Sequence, residues 1–354
     1  MEHATVLIAM SGGVDSSVSA YLMLQHGYRC MGAIMRLHEA SNETGMSQNI
    51  EDARSVADRL HIPFHVLDMT AAFQTQVMDD FVRCYETGLT PNPCVQCNRC
   101  LKFGQFLDCA VALGCTHIAT GHYARISKDP VSGRYLLQKA ADPAKDQSYF
   151  LYPLTQQQLS HTIFPLGDLT KEQARQIALQ QGFVNARKQD SQDVCFIPDG
   201  DYMAFLKRYT GKEYTKGNFL DLDGNVVGQH QGAVAYTLGQ RKGLGIALGK
   251  PAYVCSKDMA ANTVTVGPNE ALFHTTLLAN NWNWISTESP KTPICVHAKA
   301  RSRMTEQPAT VYPEENGYYR VVFDTPQRAL TPGQAVVLYD GDTVVGGGTI
   351  TEIL

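Results

Sequence analysis

The chain has 354 residues, 44% of them apolar and 18% charged; this excludes a disordered polymer and exceeds one ordinary folding unit, so two or three domains are expected. Thirty basic against 34 acidic residues leave a formal charge of −4, which excludes a wholly basic coat and confines any RNA surface to a local patch. No apolar run approaches the roughly 18 residues of a membrane span, and the start lacks a basic segment followed by a long apolar one, so a soluble, unexported, cytoplasmic protein with no membrane partner is expected.

Residues 5–10 (TVLIAM) form a short apolar run that predicts a buried parallel strand ending at Ser11-Gly12-Gly13. Residues 15–25 read as a helix stopped by Gly27, 30–37 as a second strand, 50–60 as a helix, 64–67 as a strand and 71–85 as a helix. A helix over 101–113, closed by Gly114, and a strand over 117–120 continue the alternation, which implies a parallel sheet covered on both faces. Thr170-Lys171-Glu172-Gln173 has the capping-box pattern of a helix that stops near Gly182, and 202–209 reads as one more short helix. Beyond about residue 215 glycine, valine and threonine recur in short alternating runs, such as 262–266 and 319–323. The runs 335–339 and 343–345 flank Asp340-Gly341-Asp342, read as a three-residue hairpin loop, and roughly the last 80 residues look like a small antiparallel barrel or sandwich.

Chemistry concentrates in two places. Ser11-Gly12-Gly13-Val14-Asp15-Ser16-Ser17 joins the first strand to the first helix, where glycines let the backbone approach an anion and the helix start offers N–H groups to it. It lacks the G-K-[ST] ending of a Walker loop. A helix cap at Asp15 or Ser16 that binds nothing is the bland alternative. The second place is Thr90-Pro91-Asn92-Pro93-Cys94-Val95-Gln96-Cys97-Asn98, a proline-stiffened loop leading into a helix, with Arg99 and Lys102 close by. A thiolate there is expected to have a depressed pKa. Cys195 lies far downstream in the polar loop Asp190-Ser191-Gln192-Asp193-Val194-Cys195, and spacing alone does not bring it to Cys97. Most of Cys30, Cys84, Cys109, Cys115, Cys255 and Cys295 are expected to be small buried hydrophobes. Lys299, Arg301 and Arg303, at spacing two, are expected to project from one face of a strand as a positive stripe; Arg187-Lys188, Lys207-Arg208 and Arg241-Lys242 add to a basic RNA surface.

The loop Ser11–Ser16 resembles the S-G-G-x-D-S signature of ATP pyrophosphatases, which split ATP into AMP and pyrophosphate. Together with Thr90–Pro93, Cys97-Asn98, Ala119-Thr120-Gly121-His122-Tyr123-Ala124, Lys145-Asp146-Gln147-Ser148-Tyr149, Cys195-Phe196-Ile197, residues 237–246 (TLGQRKGLGI), Pro332-Gly333-Gln334 and Gly346-Gly347-Gly348, it makes the chain similar, in order and over nearly its whole length, to the bacterial tRNA-specific 2-thiouridylase (MnmA) family. The resemblance implies an α/β protein with an N-terminal parallel-sheet ATP pyrophosphatase domain of the adenine nucleotide alpha-hydrolase type (1–200), a small central domain (201–275) and a C-terminal antiparallel β-barrel that binds tRNA (276–354). It implies that Ala9, Met10, Ser11, Gly12, Gly13, Val14, Asp15, Ser16, Met35 and Gly121 contact ATP, with Mg2+ positioned by Asp15. Cys97 would be the nucleophile and Cys195 the persulfide carrier, while His122, Lys145, Asp146, Gln147, Arg301, Ser302 and Gln334 would touch tRNA. Many family members carry Asp where this chain has Cys94. The resulting C-x-x-C, with Cys195 as a third sulfur, suits an iron–sulfur cluster of the 4Fe–4S type and also a redox dithiol, with Cys100 available as a fourth ligand for zinc. Because three sulfurs exceed what a two-cysteine relay requires, a cluster or other metal binding is favoured over the relay alone.

The family resemblance implies a reaction in which AMP is placed on the C2 oxygen of the anticodon wobble uridine, making it a leaving group for sulfur. The sulfur would come from a persulfide donor such as a cysteine desulfurase or a relay protein. Two rivals remain at this stage. An amidotransferase-type ligase or tRNA lysidine synthetase would need no reactive cysteine pair, and a non-catalytic tRNA-binding or iron–sulfur protein would need no intact phosphate loop.

Overall fold

The computed structural model describes residues 4–38, 43–189, 194–247 and 249–354. Among these, Phe64–Asp68, Arg29–Arg36, Thr5–Ala9, His117–Ala119 and Thr162–Ile163 lie side by side in that order as one parallel sheet. Val6, Leu7 and Ile8 in the central strand have no exposed surface. Leu7 belongs to one apolar core and its neighbours Val6 and Ile8 to another, so helices cover both faces, as the strand–helix alternation implies. The strand order reverses at Thr5–Ala9, which sits between the second and fourth strands in chain order. A crevice at the carboxyl ends of such strands is where open α/β sheets bind ligands, and both the Ser11–Ser16 loop and the Thr120–Tyr123 segment leave the sheet there.

The helices predicted from periodicity are present, with the largest difference at the cysteine loop. Helix begins at Pro93 rather than residue 101: Asn92 caps it by accepting from the Val95 N–H at 3.3 Å, and Pro93 sits where its missing N–H costs nothing. Pro93–Cys97 then runs through a wider π-helical stretch, Asn98–Gln105, into Phe106–Ala112. Thr170 and Gln173 make both capping-box bonds at the start of Lys171–Gln180.

A four-stranded sheet (Tyr253–Asp258, Thr263–Gly267, Gly217–Leu220, Val226–His230) follows, with Gly217–Leu220 and Thr263–Gly267 parallel. Six antiparallel strands then close into a barrel, because Phe273–Trp284 pairs with both Tyr319–Arg328 and the last strand, Thr343–Ile353. Leu277, Ala279, Val321, Phe323, Val336 and Leu338 fill its interior. The hairpin before the last strand is tighter than expected: Asp340 pairs with Thr343, leaving a two-residue loop of Gly341 and Asp342, with Gly341 at φ +56°. The barrel is fused to the first unit. Gln138, from the hairpin Arg125–Lys128 and Tyr135–Gln138, pairs with Thr343, Tyr149 donates to the Ala335 carbonyl at 2.9 Å, and Asn283 donates to the carbonyls of Tyr152 and Leu154.

The expected positive stripe does not form. The strand Ile294–Lys299 ends before Arg301 and Arg303, which sit in the following turn. Lys299 lies over the Tyr339 ring, and Arg301 turns inward onto Thr331 at 2.7 Å; Arg303 alone of the three is exposed.

Candidate active site

The phosphate-loop backbone is fixed by its own hydroxyls. The Ser11 N–H donates to Ser16 Oγ at 3.1 Å, and the Ser16 and Ser17 hydroxyls donate to the Gly13 carbonyl at 3.1 and 3.0 Å. Gly12 holds φ +71°, and a Cβ there would lie 2.5 Å from the Asn49 carbonyl oxygen, so only glycine fits. Neither Asp15 nor Ser16 serves as the bland helix cap: the capping position is Gly13, with no side-chain bond. Two residues that sequence reasoning missed clamp the loop from behind. Asn185 donates to the Gly12 carbonyl at 3.0 Å and to Ser17 Oγ at 2.9 Å; Lys188 donates to the same carbonyl at 3.1 Å and to Asp52 at 2.7 Å. Lys188, read as part of a basic RNA surface, therefore faces the loop.

The other expected nucleotide contacts surround this crevice. Met10 is buried at the end of the first strand, Met35 is half-buried in the second, and Ala9 and Val14 flank the loop. Gly121 packs against the start of the first helix so closely that a Cβ would be 2.9 Å from the Ser16 backbone nitrogen. The Asp15 carboxylate points toward that segment, where the Tyr123 hydroxyl donates to it at 2.8 Å.

Cys97 is buried in the helix, Cys94 is exposed in its first turn, and Cys195 keeps accessible surface. The four residues preceding Val194 in the Cys195 loop, Asp190 to Asp193, lie outside the described residues. Phe196 pins the described part by packing edge-on against Phe73 and Phe81 at 5.6 and 5.3 Å, which brings Cys195 within electrostatic reach of the helix thiols. Surrounding protein pushes the Cys195 thiol up to about 12, with Cys97 and Cys94 adding to the rise and Lys102 opposing it. Burial also raises Cys97, again against Lys102. The expected depression of the thiol pKa is thus reversed: Cys97 lies beyond the first turn, where desolvation outweighs the helix start and nearby cations. All three thiols are free, and among the described residues no group of three or more His, Cys, Asp or Glu side chains is arranged to hold a metal ion. Of the six cysteines expected in apolar cores, Cys30 and Cys115 are buried, Cys84, Cys109 and Cys255 half-buried, and Cys295 exposed.

The barrel holds the loop that precedes these cysteines. The Thr90 N–H donates to the Pro332 carbonyl at 2.9 Å, and the Gln334 amide donates to the carbonyls of Thr90 and Pro91 at 3.0 and 3.2 Å. His122 sits between Phe103 and Phe164, with Thr120 Oγ1 2.7 Å from its Nδ1; burial, then Lys102, hold it well below the usual imidazole range. Asp146 accepts from the backbone N–H groups of Ala140 and Ser148, Gln147 accepts from the Tyr123 N–H, and Lys145 is half-buried beside them. Arg301 and Ser302 occupy the turn after the barrel strand. The structure thus gathers the phosphate loop, Gly121 and His122 at one crevice and the three cysteines near Lys102, while Arg301 and Ser302 lie on the barrel.

Three family profiles match the chain in sequence: a tRNA methyl transferase HUP domain over residues 4–199, a tRNA methyl transferase PRC-barrel domain over 203–268 and an aminomethyltransferase beta-barrel domain over 274–350. Proteins named tRNA-specific 2-thiouridylase MnmA are similar from end to end. The one from Clostridioides difficile (strain 630) is 45% identical over 355 residues, covering 99% of this chain and 98% of that one. The Heliobacterium modesticaldum (strain ATCC 51547 / Ice1) protein is 48% identical over 358 residues, covering 99% and 93%. A solved U34-tRNA thiolase NcsA from Methanococcus maripaludis, with its 4Fe–4S cluster, aligns with 58% of this chain and 66% of that one at 16% identity and TM-score 0.35, too distant to bear on the site.

Proposed function

The chain belongs to the tRNA-specific 2-thiouridylase family, a tRNA sulfurtransferase family that thiolates tRNA with ATP and Mg2+, and we propose that its substrate atom is the C2 oxygen of the anticodon wobble uridine. The observation that carries this reading is the pairing of an intact phosphate loop with three thiols that act on one another, Cys94, Cys97 and Cys195. The division into 1–200, 201–275 and 276–354 is part of the same proposal.

Ala9–Ser16, Met35 and Gly121 bind ATP in the crevice, and Asp15 is the residue that would hold Mg2+, which neutralises charge on the pyrophosphate when bound. Transfer of AMP to the uridine oxygen releases pyrophosphate and turns a poor leaving group into a good one. Cys195 carries the persulfide. The Cys97 thiolate attacks Cys195 Sγ, the inner sulfur of the persulfide; the bond from Sγ to the outer sulfur breaks, a Cys97–Cys195 disulfide forms, and the outer sulfur leaves as hydrosulfide. The hydrosulfide adds at C2 and expels AMP, giving 2-thiouridine, and an external thiol reduces the disulfide. A pair held in line lowers the barrier by about 7–11 kcal/mol through orientation. His122, Lys145, Asp146, Gln147, Ser302 and Gln334 line the tRNA path, with Arg301, turned inward onto Thr331, supporting it from the barrel. A persulfide-bearing partner, a cysteine desulfurase or a relay protein, loads Cys195, whose accessible surface suits that delivery.

A second reading rests on Cys94, whose thiol is exposed one turn before Cys97: the three sulfurs are the donor set of a 4Fe–4S cluster with one open iron. The present arrangement does not form such a group, so no step is routed through one. Mass analysis of nucleosides from tRNA incubated with the protein, ATP, Mg2+ and a persulfide donor tests the function; no 2-thiouridine over many turnovers refutes it. Cys94→Asp decides between the readings. Iron-free, active variant protein supports the relay, whereas loss of stoichiometric iron and acid-labile sulfide together with activity supports the cluster.

A further inference from the structure

Lys171 meets the phosphate loop although nothing in the loop motif announces it. Its ammonium lies 2.8 Å from both carboxylate oxygens of Asp15. The fold brings it there: Lys171 is the first residue of its helix, the Thr170–Gln173 capping box fixes that helix start, and the Lys171 N–H donates to Asp142 at 3.0 Å. The lysine side chain keeps 9% of its accessible surface and the Asp15 side chain 29%. An ammonium at that depth needs a partner, and the pair gains little stability over an apolar contact of the same volume, so stability alone is a poor account of it.

Its position supplies a better one. Asp15 stands in the first turn of the helix, immediately beyond the loop. An anion on the loop N–H groups comes within a side-chain length of that carboxylate and is repelled unless the charge is balanced. Lysine is a compact charge on a flexible stem, able to exchange one anionic partner for another a few ångströms away. The Tyr123 hydroxyl, 2.8 Å from the carboxylate, keeps Asp15 oriented during such an exchange.

We infer that Lys171 is a phosphate-binding residue of the nucleotide site: it balances Asp15 in the arrangement seen here and moves onto the pyrophosphate oxygens of ATP when the carboxylate takes a divalent cation. This rests on the nucleotide reading above and deepens it. The test is equilibrium binding of fluorescent α,β-methylene-ATP to the intact protein, with and without Mg2+, and tRNA affinity as the control for folding. Lys171→Gln is expected to weaken binding of the analogue about tenfold or more with Mg2+ present, the usual loss of a charge-assisted contact, with tRNA affinity unchanged. Because that variant leaves Asp15 uncompensated at the cost of folding stability, the neutral pair Asp15→Asn with Lys171→Gln is compared with Asp15→Asn alone in EDTA. The double variant should bind at least tenfold more weakly. Equal affinity of the two would overturn the inference and leave the nucleotide reading standing, whereas wild-type protein that binds no adenine nucleotide would overturn both.

Discussion

Gly333→Ala should disconnect the barrel from the cysteine loop. Gly333 has φ +91°, and a Cβ there would lie 2.8 and 2.9 Å from the Thr90 backbone N and O and 3.0 Å from Leu89 Cβ. Since the obstructing atoms are mainly backbone, relief requires the loop to move. Left-handed backbone costs an L-residue about 1–2 kcal/mol. Undocking also loses the Thr90–Pro332 bond and the two bonds from Gln334, at about 1 kcal/mol each. Those three bonds favour docking by about 3 kcal/mol together, and backbone contacts of 2.8 and 2.9 Å added to the left-handed strain are expected to exceed that and release the loop. Thiolation turnover should fall at least tenfold while binding of the ATP analogue stays within twofold, because the phosphate loop lies elsewhere. Gln334→Ala, which removes two bonds without strain, should fall between wild type and Gly333→Ala in the same assay. Wild-type turnover for Gly333→Ala would show that docking to the barrel does not position Cys94 and Cys97.

Asp15→Asn should abolish thiolation with tRNA affinity nearly intact; full activity in single-turnover assays would remove Asp15 from the nucleotide site. His122 is held below its unfolded pKa, so its burial as the neutral form contributes fully above about pH 6.5 and is progressively lost as pH falls below it. Replacement by Gln should flatten the acid side of the stability curve by at most about 1.4 kcal/mol per pH unit, read by urea denaturation at pH 7.5 and 5.5; identical slopes would refute the assignment. Arg303→Ala should reduce the log–log salt slope of tRNA binding by about one, whereas Arg301→Ala should lower the melting temperature through its lost bonds to Thr331 and Ala329. The reverse pattern would restore Arg301 as an RNA-facing residue.

Whatever depended on local pattern was legible in the sequence. The strand–loop–helix at residues 5–25, the alternation that implies a parallel sheet and the Thr170 capping box all follow from neighbours in the chain. Strand closure was harder, because pairing of Phe273–Trp284 with Thr343–Ile353 joins segments some 70 residues apart. The positive stripe failed because spacing two predicts one face only while the strand continues, and this strand stops at Lys299. Lys171 and Lys188 carried no readable signal: one looked like an ordinary first-turn residue and the other like surface charge, and only the packing turns each toward Asp15 or Gly12.

The reversed thiol pKa has a chemical consequence of its own. With Cys195 pushed up to about 12 and Cys97 raised as well, both sulfurs rest as neutral thiols near pH 7. A neutral thiol exchanges slowly with disulfides and oxidants, which matters in a chain of ten cysteines whose proposed working pair must not be scrambled. Lys102 opposes the rise at both sulfurs and also lowers His122, so one ammonium acts electrostatically on all three groups. It lies five residues after Cys97, which an α-helix would place about 140° around the axis. The i→i+5 bonding of Asn98–Gln105 widens the turn, and Lys102 acts electrostatically on Cys97 from within it. Burial thus raises the Cys97 thiol while a cation carried by the π-helical stretch opposes the rise, and in the proposed relay that cation meets the negative charge that develops as sulfur moves.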